Sequence, residues 1–93
     1  MALSAIVAAG LHGVEEGLEL EAVLEGNAYL AQDKPQVPHS LRDARELFAQ
    51  SQIARSAFGE EVVDHYVNAA DIELEAFGAA VTDWERYRGF ERL

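Results

Sequence analysis

A chain of 93 residues, 49% hydrophobic and 26% charged, has the make-up of one small globular domain or one piece of a larger one, and its apolar content excludes wholesale disorder. It has no cysteine, which excludes a disulfide scaffold, a zinc ribbon, an iron–sulfur site and a thiol nucleophile. With 7 Lys and Arg against 17 Asp and Glu, a net charge of -10, the chain repels a phosphate backbone, so nucleic acid is not an expected partner.

Residues 1–14 carry no formally charged side chain. The stretch is shorter than the roughly 20 apolar residues that cross a bilayer, and it lacks the basic start of a secretory signal. Neither membrane insertion nor export is expected, and the cytoplasm is the expected compartment. Leu3, Ile6, Val7, Leu11, Val14 and Leu18 recur at three- and four-residue steps, which predicts a helix over about 2–18. Ala5, Ala8, Ala9 and Gly10 make its other face small. A helix apolar nearly all round needs cover on several sides, which so short a chain has few layers to supply. Self-association is expected from this helix.

From residue 20 to 39 the helical period fades. Gly26-Asn27 is a turn signal, and Pro35 and Pro38 keep the backbone extended, so a long loop is expected, functional in itself or wrapped over a neighbour. Ser40 and Asp43 mark the start of a helix over 40–49, with Leu41, Ala44, Leu47 and Phe48 as its apolar stripe. Ser51 caps a short helix over 51–58, and Gly59 ends it in the left-handed conformation. Val63, Val67, Ala70, Leu74, Phe77, Val81 and Trp84 then step by four and three along one seam, which predicts a long helix over 60–81. Thr82-Asp83-Trp84-Glu85 reads as a capping box, opening a terminal helix over 83–91. No strand and no repeat is recognisable. The expected fold is all-α, four to five helices in a single segment spanning 1–93.

Candidate chemistry is sparse. His12 with Glu16, and Glu61 with His65, are i,i+4 pairs that can face one way on a helix, but twelve glutamates make such pairs common by chance. Glu-x-x-His and His-Glu-x-x-His are absent. No Gly-x-Ser-x-Gly, P-loop or Gly-x-Gly-x-x-Gly occurs, and close packing accounts for Gly10, Gly13 and Gly17 in the first helix. No catalytic, cofactor-binding or metal-ligating residue is therefore assigned. Trp84, Tyr87 and Phe90 recur every three residues beside Arg86 and Arg88, the residue types enriched at interface centres. They either form an intersubunit contact or pack back on the chain's own helices.

Several blocks taken together resemble a known family. Ala-Leu-Ser-Ala-Ile-Val-Ala-Ala-Gly-Leu-His-Gly-Val (2–14) resembles the helix near the C-terminal end of glutamine synthetases. Glu25-Gly26-Asn27-Ala28-Tyr29, Pro38-His39-Ser40-Leu41, Phe58-Gly59-Glu60-Glu61-Val62-Val63-Asp64-His65-Tyr66 and Val81-Thr82-Asp83-Trp84-Glu85 follow in that family's order and spacing. The version here looks most like the bacterial glutamine-synthetase-like γ-glutamyl–amine ligases.

The resemblance implies an enzyme of nitrogen metabolism, glutamine biosynthesis included. Such a ligase uses ATP and Mg or Mn to phosphorylate the γ-carboxylate of glutamate, and ammonia or an amine then displaces the phosphate. It also implies that the catalytic motifs lie upstream, that Met1 is the start of a truncated chain, and that the 93 residues are structural and inactive alone. The implied partners are the remainder of the enzyme and its neighbouring subunits in a homo-oligomer, with no nucleic acid and no membrane. Tyr29 falls where some bacterial members carry an adenylylated tyrosine. Leu30 and Ala31 depart from the residues that follow it there, and packing of the loop is the alternative role. Residues 82–93 fall where the family has an element contributing to contacts between stacked rings. Two rival readings are a stand-alone helical module that dimerises through the first helix and the 63-to-84 seam, and a carboxylate-bridged metal bundle.

Overall fold

A computed structural model describes residues 1–90 and 92 of the chain, and among them every regular element is helical. Helix α1 spans Ala2–Glu15, a single 3₁₀ turn Ala28–Leu30, α2 Leu41–Gln50, α3 Gln52–Phe58, α4 Glu60–Ala79 and α5 Asp83–Phe90. The expected last residue of the terminal helix, 91, lies outside the described residues.

The helix starts follow from capping chemistry. Ser40 Oγ accepts from the Asp43 N–H at 3.1 Å, and Ser51 Oγ accepts from the Ala54 N–H at 3.1 Å. At α5 the box is reciprocal. Thr82 Oγ1 accepts from the Glu85 N–H at 3.2 Å, and the Glu85 carboxylate accepts from the Thr82 N–H at 2.8 Å and its hydroxyl at 3.0 Å.

Two helices end earlier than their apolar periods suggest. The first stops at Glu15 rather than 18 because Gly17, at φ 62°, turns the backbone left-handed. Leu18 N–H then bonds Gly13 C=O at 2.9 Å and Gly17 N–H bonds Val14 C=O at 3.2 Å, which closes a Schellman motif. Gly17 is thus a helix terminator, not the packing glycine that the sequence pattern suggested. Helix α4 stops at Ala79 rather than 81, where Ala80 turns extended at φ -85°, ψ 138°. Gly59 ends α3 with φ 85°, as expected, but its ψ of 158° lies outside the left-handed helical well, in a region essentially reserved for glycine. That one residue separates α3 from α4.

Helices α2 and α3 both pack on α4, and α1 rests on α3. Val63, near the start of α4, is the one fully buried hydrophobic side chain among the described residues. Along the seam Val67, Ala70 and Leu74 are half-buried, whereas Phe77, Val81 and Trp84 are exposed. The seven-residue repeat is therefore divided: Val63 to Leu74 is core, Phe77 is bare near the end of α4, and Val81 and Trp84 lie beyond the break at Ala80, also exposed.

Arginine forks supplement this small core. Arg45 on α2 donates through Nε and Nη2 to the two carboxylate oxygens of Asp71 on α4, at 2.8 and 2.7 Å. Arg55 on α3 donates to the Ala49 carbonyl of α2 at 2.8 Å, to Glu60, and to Asp64 at 3.1 Å, so it ties three helices at their junction.

The extended shape agrees with the thin core. The Cα radius of gyration is 18.7 Å, against about 12 Å for a compact chain of this length. The accessible surface is 8431 Å², against about 5,300 Å² for a compact monomer of this mass.

Candidate functional site

Tyr29 sits in the 3₁₀ turn, where Asn27 Oδ1 accepts its backbone N–H at 3.0 Å. The phenol is 97% exposed, so it does not pack the loop within this chain. The same loop is clipped by one ion pair, Lys34 Nζ to Glu21 at 2.7 Å. Both side chains of that clip are at least partly in water, which limits its contribution.

Trp84, Tyr87 and Phe90 lie on α5 and are 68%, 61% and 86% exposed. The Arg88 guanidinium lies 5.6 Å from the Trp84 ring centroid, close enough for a cation–π contact. Packing of these rings back onto the chain's own helices is therefore slight. They give α5 an exposed aromatic and basic character, and Phe77 and Val81 before it are exposed as well.

The histidines do not converge. His12 lines an open groove between α1 and α3 together with Leu11, Glu15, Glu16, Ile53 and Ser56. His39 lies 3.2 Å from the Gln36 side-chain oxygen, and His65 meets the neighbouring Tyr66 ring edge-on, with centroids 5.5 Å apart. Among the described residues no group of three or more His, Asp or Glu is arranged to hold a metal ion. No helix among them is long and apolar enough to cross a membrane.

The groups with shifted protonation belong to structure. Hydrogen bonds from Arg45 hold the Asp71 carboxyl below its ordinary value, and the reciprocal effect raises Arg45. The Thr82 backbone N–H, then its hydroxyl, lowers Glu85. Hydrogen bonding with Glu60, and next with Asp64, raises Arg55. All four are fixed charges at helix junctions or caps. Sequence reading did not single out Arg45 and Arg55, whose only signal was that cations are scarce and these two fall inside amphipathic helices.

Among the described residues no catalytic constellation accompanies these groups, and the identity of the chain rests on its sequence as a whole. Residues 1–88 match the family described as glutamine synthetase, catalytic domain. The chain belongs to that family. It is 56% identical over 93 residues to a gamma-glutamylethanolamide synthetase of Streptomyces coelicolor, covering 100% of this chain and 20% of that protein. A type-1 glutamine synthetase of Dictyostelium discoideum is 38% identical over 95 residues, covering 98% of this chain and 18% of that protein. A glutamate–isopropylamine ligase of a Pseudomonas species is 31% identical over 90 residues, covering 95% and 20%. The chain thus spans about a fifth of the length of the curated relatives it matches.

Proposed function

We propose that these 93 residues are the C-terminal helical part of a glutamine-synthetase-like ligase, a scaffold and subunit-contact element with no chemistry of its own. The whole enzyme, in this reading, joins the γ-carboxylate of glutamate to an amine at the expense of ATP. An amine other than ammonia is favoured by the 56% identity to an ethanolamide synthetase, against 38% to the Dictyostelium glutamine synthetase. The observation that carries the scaffold role is the surface: 8431 Å² is accessible where a compact monomer of this mass exposes about 5,300 Å². Large apolar side chains are exposed along α1, in the loop, at Phe77 and Val81, and on α5, and such faces call for cover from other protein.

The ATP and divalent metal that such a ligase requires do not fit the residues present. No acidic or histidine trio converges among the described residues, and Arg45 and Arg55 are already engaged by carboxylates. Under this reading those groups are held by other parts of the enzyme, with the remainder of the enzyme and neighbouring subunits as the partners of this segment. Tyr29, fully accessible on its turn, is open to modification, and Trp84, Tyr87 and Phe90 are the side chains proposed to reach a neighbour.

The chain alone, given glutamate, ATP, Mg²⁺ and either ammonia or ethanolamine, is expected to release no phosphate and form no γ-glutamyl product. Turnover by the purified chain, abolished by a chelator, would overturn the scaffold reading.

A further inference from the structure

Helix α1 is held to the chain differently from the three helices beside it. Helices α2, α3 and α4 share the buried Val63 and half-buried side chains that include Phe48, Phe58, Val67 and Leu74. Arg45 and Arg55 tie the same three helices with charge-assisted bonds to Asp71, Glu60 and Asp64. The half-buried residues of α1 are Ala5, Ala8, His12 and Gly13, and its Leu, Ile and Val side chains are all exposed. We propose that α1 is a releasable arm, which leaves α3 and returns while α2, α3 and α4 stay folded as one unit.

The contact between α1 and α3 is small and gapped. A groove of about 660 Å³ opens between Leu11, His12 and Glu15 on one side and Gln52, Ile53 and Ser56 on the other. Atoms that line such a gap lose the dispersion contacts that close packing supplies. Among the described residues no side-chain hydrogen bond or ion pair joins α1 to another element; those that cross between helices tie α2, α3 and α4 instead.

The link to α2 leaves the arm free to move. Residues 16–40 join the two helices, with the turn Ala28–Leu30 as their one regular element. The Lys34–Glu21 pair lies wholly inside that link and fastens neither helix. The C-terminal end of α1 is closed by Gly17 and Leu18 on the Val14 and Gly13 carbonyls, so its cap does not depend on α3. Once released, a helix of 14 residues is marginal in water, and each release exposes its amides to solvent. Release requires only the α1–α3 contact to part, whatever covers the bare outer stripe of α1 in a longer protein, and it is independent of the ligase reading.

Amide hydrogen exchange on the whole chain in dilute solution, at several urea concentrations below the unfolding midpoint, tests the proposal. Amides of α1 are expected to exchange at least about tenfold faster than those of residues 63–74, because they open locally and not with the global transition. Their exchange is also expected to depend only weakly on urea, since parting one small contact exposes little surface. Ala8→Glu, on the side of α1 that meets α3, is expected to speed exchange in α1 further and to leave that of residues 63–74 unchanged. Arg45→Ala is expected to speed exchange in residues 63–74 and to leave that of α1 unchanged. Exchange of α1 and of residues 63–74 at one rate with one urea dependence would overturn the proposal. So would an Ala8→Glu chain in which both regions speed up together, since either result makes the four helices a single cooperative unit.

Discussion

Gly59 is the shortest possible joint between two helices, serving as the last cap of α3 and the first of α4. Its φ of 85° and ψ of 158° fall where an L side chain is strained, although a Cβ built there meets nothing within 4 Å. The cost of Gly59→Ala is therefore conformational and not steric, about 1–3 kcal/mol of stability, to be read from the urea midpoint. An unchanged midpoint would mean that the joint relaxes freely. Arg55 braces the same joint with bonds to Ala49, Glu60 and Asp64, so a single-residue link still fixes the angle between its helices. Glycine at position 59 was legible from sequence as a helix end. Its actual ψ was not, because the direction in which α4 leaves depends on tertiary packing that no local motif encodes.

At the level of elements, two carboxylates make the helix assembly acid-sensitive. Asp71 clamps α4 to α2 through Arg45, and Glu85 closes the cap of α5, and both are held below their ordinary values. Their stabilising contribution is complete above the unfolded carboxyl values of about 3.9 and 4.3. It is lost as the pH falls below these through the lower folded values, where protonation removes the bonds. Urea midpoints are expected to fall between about pH 5 and pH 3. Asp71→Asn should be less stable at neutral pH and lose part of that dependence. A wild-type midpoint that is flat or rises on acidification would contradict the assignment.

The helices themselves were legible because their starts are written in local chemistry: Ser40, Ser51 and Thr82 cap as their sequence contexts indicate. The ends were less legible. The apolar period of α1 runs on to Leu18, but the Schellman turn at Gly17 has already ended the helix. In α4 the period runs through Val81, yet the helix stops at Ala79, because a periodic apolar line marks a face and not a boundary.

Among the described residues the core is one buried valine, with the half-buried seam residues and Ala44, Phe48, Ala54 and Phe58 of α2 and α3 around it, while many large apolar side chains face water. The sequence carried this in outline, since an apolar first helix has too little chain left to cover it. Which half of the 63-to-84 seam would be covered was not legible, as Val63 and Phe77 occupy equivalent positions in the repeat on the same helix and differ in what packs across from them. Family membership, too, was legible in the order and spacing of blocks and not in any catalytic motif, which matches a segment spanning about a fifth of its curated relatives. Under the proposed function the segment completes a larger ligase. The most direct measurement adds the purified chain to a glutamate–amine ligase of this family from which the matching segment has been deleted, and follows assembly and γ-glutamyl product together. The chain is expected to co-migrate with the deleted enzyme and to restore both its oligomer and its turnover. A chain that stays apart while the deleted enzyme assembles and turns over unaided would contradict it.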